Sequence, residues 1–174
     1  MASTPTPTPT ATGVATFPAT PTTDGVAVLQ GVIEQACHIN GPGPTDESAR
    51  ATKHGYTLHC LPSAGHEMRA DLVRYADVET AGAQFAAASE PGAARSFHEL
   101  PAAFWETPFG SFDGANRYLV WQLDCWVVTV HSFDDTHFSV APQPVTLSDA
   151  IIAAASELLR GECHGSPSRT ELGI

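Results

Sequence analysis

Tyr118-Leu119-Val120-Trp121-Gln122-Leu123, then Asp124-Cys125, then Trp126-Val127-Val128-Thr129-Val130-His131: the fold turns on how this run is read. β-branched and aromatic side chains fill both arms, and the short Asp-Cys interruption predicts a hairpin. With Asp124 and Cys125 as the turn, Leu119, Trp121 and Leu123 share a face with Trp126, Val128 and Val130. Tyr118, Val120, Gln122, Val127, Thr129 and His131 share the other. The face carrying two Trp is the expected core face. Asp-Cys is a poorer two-residue turn than Asp-Gly, which leaves open a register slipped by one residue.

Before this hairpin, Phe109 to Asn116 is rich in Gly and Asp and predicts a loop. Phe97 to Leu100 and Ala103 to Trp105 predict short strands, and the intervening Pro101 calls for an edge position or a bulge. Asp77 predicts an N-cap for a helix reaching Ser89, with Val78, Ala81, Phe85 and Ala88 on one stripe and Pro91-Gly92 as its stop. Alternation over His54 to Leu61 and over Glu67 to Tyr75 predicts an antiparallel pair. Asn40 to Lys53 reads as loop. Val26, Val28, Leu29, Val32, Ile33, Ala36 and Cys37 recur at near-helical spacing behind Thr23 or Asp24 as N-cap, which predicts a helix over Gly25 to Cys37. A last helix is expected over Ser148 to Arg160, with Ser148 as N-cap and Gly161 as stop. Helices separated by runs of neighbouring antiparallel strands indicate an α+β domain. The expectation is a single antiparallel sheet of about five strands with two to three helices packed on one face.

The chain divides into a tether at Met1 to Thr23, one globular domain over Asp24 to His164 and a polar tail from Gly165 to Ile174. The tether holds nine Thr, five Pro and no charge. Its Thr-Pro repeats fix φ and remove backbone donors, which gives an extended spacer whose threonines are O-glycosylation candidates. The remaining stretch of roughly 150 residues is enough for one hydrophobic core. Net charge is −11, with Lys53 the only lysine. Such a surface repels phosphate backbones and anionic lipid, so nucleic acid is excluded as a partner. No apolar run reaches the ~20 residues of a membrane-spanning helix.

Cys37, Cys60, Cys125 and Cys163 are even in number, widely spaced and without a Cys-x-x-Cys pair, which suits two disulfides in an oxidising compartment. Three connectivities satisfy the count. The pairing Cys37–Cys60 with Cys125–Cys163 is expected because the first bond closes the loop-rich Asn40 to Gly55 segment. Four buried free thiols are the alternative.

A Thr/Pro tract ahead of a small disulfide-capable α+β domain resembles uncharacterised secreted or lipid-anchored bacterial envelope proteins. The resemblance rests on the tether and the Asp71 to Phe85 segment. It implies an extracytoplasmic location and lipidation of a cysteine upstream of Met1, and it carries no catalytic residues across. Independently, a Thr/Pro tract directly after a start methionine suggests that Met1 replaces a removed export signal, a natural cytoplasmic start being the alternative.

The densest grouping of chemistry-bearing residues is His131, Asp134, Asp135 and His137, two imidazoles and two carboxylates within seven residues. That set offers three ligands to a zinc-like ion with a position open for water. The bland reading is a solvated loop at a strand end. His59-Cys60, Cys37-His38 and Cys163-His164 pair a thiol with an imidazole, yet chain neighbours diverge in strands and helices, so none forms a dyad. No Gly-x-Ser-x-Gly elbow is present. Trp105, Trp121 and Trp126 are expected to pack as core rather than to line a ligand groove. Phe104, Phe109 and Phe112 fall where burial is not obvious and are the partner-contact candidates. The leading expectation is therefore a non-enzymatic binding or assembly module displayed on its spacer, without a cofactor. Its partner would be a protein or a further copy reached through the tether, as in a surface assembly or filament. A metal-dependent hydrolase built on His131, Asp134, Asp135 and His137 is the alternative.

Overall fold

The structure, a computed structural model, describes residues 23–37, 48–63, 66–109, 114–134 and 144–160. The decisive hairpin forms in the unslipped register. Strand β6 (Gly114–Leu123) pairs antiparallel with β7 (Trp126–Asp134), Leu123 opposite Trp126 and Trp121 opposite Val128, which leaves Asp124 and Cys125 as the two loop residues. Asp124 accepts a left-handed φ of 50°, a conformation that Asp tolerates better than most residues, and so substitutes for the absent glycine.

Around this hairpin the sheet has, among the described residues, seven strands, not about five, all antiparallel. The others are β1 (Ser48–Thr52), β2 (Gly55–Ser63), β3 (His66–Arg74), β4 (Ala93–Phe97) and β5 (Leu100–Phe109), in the order β1-β2-β3-β7-β6-β5-β4. The two extra strands are the two edges. β1 occupies the tail of the expected Asn40 to Lys53 loop. β4 precedes the expected Phe97 strand and turns back through His98 and Glu99, both at positive φ, into a continuous β5.

β5 is an interior strand despite its prolines, because each proline sits where only one neighbour pairs. Pro101 lies opposite Ser96 of β4, and pairing with β6 starts one residue later at Ala102. Pro108 lies opposite Ala115, beyond Phe104, where β4 has ended. A missing N–H costs little at such positions.

Among the described residues there are also three helices: α1 (Thr23–Cys37), α2 (Val78–Ser89) and α3 (Pro144–Arg160). α1 and α3 share one face, where Leu29, Val32, Ile33, Leu147, Ile151 and Leu159 close over Leu58, Met68, Leu72, Trp121, Val128 and Val130. Each large side chain removed from water there contributes about 1.5–3 kcal/mol. α2 lies on the opposite face, which corrects the one-face expectation: Ala81, Phe85 and Ala88 pack on Val120, Val127, Tyr75 and Trp105. The sheet is thus sandwiched, because β6 and β7 are apolar on both sides. Val120 and Val127 need a cover of their own, and α2, capped by Asp77 through the Thr80 amide at 2.7 Å, supplies it.

α3 begins one turn earlier than expected. Pro144 opens it, where a missing N–H is harmless, and Ser148 is interior and fully buried, accepting a hydrogen bond from Trp121 Nε1 at 3.1 Å. Cys60 points into the core and is bonded to Cys37 at the end of α1, with a Cα separation of 6.1 Å. Cys125 is also disulfide-bonded, and its expected partner Cys163 lies outside the described residues. The tether before Thr23 and the tail from Gly165 lie outside them too. Among the described residues no helix is long and apolar enough to cross a membrane.

Candidate ligand-binding face

α2 covers only part of its face, and strand alternation brings polar and aromatic side chains to the rest. The register aligns Ser48 on β1, His59 on β2, Arg69 on β3, His131 on β7, Tyr118 on β6 and Trp105 on β5 in one row across six strands. At about 4.8 Å per strand the row is roughly 24 Å long.

Its aromatic end is a stack. Trp105 and Tyr118 lie 4.9 Å apart with rings 9° from parallel, and Tyr118 and His131 lie 4.6 Å apart at 13°. His131 Nε2 is 2.9 Å from Asn116 Oδ1, an acceptor, so that nitrogen carries the proton and donates. Burial lowers the His131 pKa below its usual value; Glu67 opposes the shift and Arg69 adds to it. The imidazole is therefore neutral at pH 7.

The polar end is a cavity of about 290 Å³ lined by Ser48, Arg50, Thr57, His59, Glu67 and Arg69. Its carboxylate is engaged: Glu67 Oε1 meets His59 Nε2 at 3.0 Å. Beside the cavity, Asp71 Oδ1 accepts from Thr57 Oγ1 at 2.8 Å and from Arg69 Nη2 at 3.0 Å. Arg50 has no carboxylate partner among the described residues. Two of the eight Lys and Arg residues of a chain with net charge −11 thus converge here, one of them unneutralised. These exposed ion pairs contribute little to stability, so the grouping is not a structural staple.

The site residues expected from sequence fare differently. His131 lies on this face, with Nε2 committed to Asn116. Asp134 closes β7 with its side chain not described, and Asp135 and His137 lie outside the described residues, as does Phe112. Among the described residues no group of three or more His, Cys, Asp or Glu side chains is arranged to hold a metal. Phe104 is half-buried in β5 on the α3 side, under the Arg95 guanidinium. Phe109 ends β5, and its side chain is not described. Trp121 and Trp126 are core, as expected, whereas Trp105 stands half-buried on the opposite face.

The polar cavity leaves almost no trace in the sequence. Its residues come from three strands, each alternating harmlessly between core and solvent. The one available signal was the pairing of His54 to Leu61 with Glu67 to Tyr75, which sets His59 and Thr57 beside Arg69 and Asp71. No protein-family model matches the chain, and no curated protein matches it.

Proposed function

We propose that this protein is an extracytoplasmic binding module, presented on its Thr/Pro spacer, that takes an anionic ligand on the uncovered part of its sheet. The observation that carries the reading is Arg50, which lacks a carboxylate partner among the described residues and stands in a polar cavity beside Arg69, while Glu67 and Asp71 are already occupied. An anion entering there gains a charge-assisted bond without displacing an existing one. Hydroxyls of Ser48 and Thr57 and the imidazole of His59 add hydrogen bonds of the kind a hydroxylated acid such as a uronate would use. Location outside the cytoplasm is supported by the Cys37–Cys60 bond and the bonded Cys125, since such bonds persist in oxidising compartments.

Amide NMR of the full chain, titrated with galacturonate, succinate, inorganic phosphate and neutral galactose, tests the reading. Saturable shifts at Thr57, His59 and Arg69 with an anion, lost in Arg50→Ala and absent with galactose, are expected. Spectra unchanged at millimolar anion, or binding indifferent to Arg50→Ala, would sink it. Metal analysis of protein purified without chelator or nickel separates the metal-dependent hydrolase: stoichiometric zinc lost on His131→Ala would replace the binding reading.

A further inference from the structure

The two edges of the sheet are finished differently. β1 is closed by α1, whose Gln30 side chain accepts the Ala49 amide at 2.9 Å, and Arg50 and Lys53 further guard it. At the other edge Ala93, Ala94, Arg95 and Ser96 are all exposed, and among the described residues β4 pairs only with β5. Phe97 and Leu100 flank the two-residue turn and form a hydrogen-bonded pair, so the odd-numbered residues of β4 bond inward. Ala94 and Ser96 therefore direct their N–H and C=O groups outward, where no strand among the described residues pairs with them.

Next to this open edge, on the α3 side, is a mainly apolar groove of about 400 Å³. Phe97, Ala102, Phe104, Leu119 and Val145 line it because α3 covers β6 and β7 but stops short of β4. Its single cation is Arg95, 5.4 Å from the Phe104 ring centroid and without a carboxylate partner among the described residues. We propose that β4 and this groove form a docking edge for an extended peptide segment carrying an acidic residue between two apolar ones.

Backbone pairing to Ala94 and Ser96 supplies the strand addition, and side-chain alternation supplies the specificity. The incoming residue opposite Arg95 faces the groove and presents its carboxylate to the guanidinium. The residues two positions to either side face the same way and cover Phe97 and the groove wall. A second copy of this chain is the poorer occupant. Full-length antiparallel pairing of two β4 strands sets Arg95 directly against Arg95, and each copy brings a net charge of −11.

The test uses the full chain and a capped Leu-Thr-Glu-Thr-Leu peptide, with a Lys-for-Glu version as control. Saturable binding with slowed hydrogen exchange at the Ala94 and Ser96 amides is expected. Arg95→Glu or the Lys peptide should weaken it at least about tenfold. Ser96→Pro should abolish binding while leaving the β4–β5 ladder and the thermal melt intact, because Ser96 does not donate to β5. No binding at millimolar peptide, equal binding of the Lys version, or indifference to both Arg95→Glu and Ser96→Pro overturns the proposal. A wild-type dimer dispersed by Ser96→Pro overturns it in favour of a second copy.

Discussion

Ser148 separates two accounts of the last helix, because they demand opposite responses to one substitution. As an N-cap it would be exchanged for Asp almost freely, since both side chains accept the capping bond. As the structure has it, Ser148 is fully buried and takes the Trp121 indole proton at 3.1 Å, with Trp121 itself fully buried. Ser148→Ala removes the only acceptor of that pair and leaves a buried N–H unsatisfied, at a cost of about 1–3 kcal/mol. Ser148→Asp keeps an acceptor but places a carboxylate in an apolar layer between Trp121 and α3, costing about 3–5 kcal/mol. For a domain of this size each kcal/mol lowers Tm by about 2–4 °C.

Equilibrium urea unfolding followed by far-UV circular dichroism and by Trp fluorescence gives both values. In a cycle with Trp121→Phe, the double variant should lose less than the sum of the singles by about 1 kcal/mol, since neither half of the bond is then stranded. Ser148→Asp within about 0.5 kcal/mol of wild type would refute the buried geometry and restore Ser148 as a cap.

Two glycines give a sharper contrast. Gly55 has φ of 155° and a Cβ there would fall on the Leu72 carbonyl, so Gly55→Ala should destabilise by more than ~2 kcal/mol in urea unfolding, whereas Gly31 faces open space on α1 and Gly31→Ala should stabilise by about 0.5–1 kcal/mol. His131 supplies a pH test. Its folded pKa is lowered from 6.5, so the unfolded chain takes up the proton first; the stability this group contributes is complete above that value and is lost as pH falls through the folded pKa. Unfolding curves between neutral and mildly acidic pH should show a flatter acid decline for His131→Gln than for wild type, and parallel declines would remove His131 from the account.

Much of the fold was legible because it was written in periodicity. Both faces of the Trp121 hairpin, the Asp77 cap, the bodies of all three helices and the β2–β3 pair follow from spacing of apolar side chains, and each needs only neighbours in the chain to be recognised. The edge strands were not legible for the same reason. Ser48-Ala49-Arg50-Ala51-Thr52 buries one side chain and Ala93 to Ser96 bury none, so their place in the sheet is fixed by backbone bonds to an adjoining strand, which side-chain pattern does not encode. Pro101 looks like a break in β5 from the sequence because a proline's cost depends on which neighbours pair at that residue.

Local spacing in the chain already specifies an α+β domain built on antiparallel hairpins, a disulfide-compatible cysteine set and a dry face centred on Trp121. Only the folded chain settles that α2 crosses to the opposite face and that Arg50, His59 and Arg69 meet in one cavity, while the Cys37–Cys60 bond expected from the loop it closes does form. The physical reason is range. Alternation and helical spacing act over a few residues, whereas layer choice and cross-strand assembly depend on the register between segments far apart in the chain, which exists only once the sheet has closed.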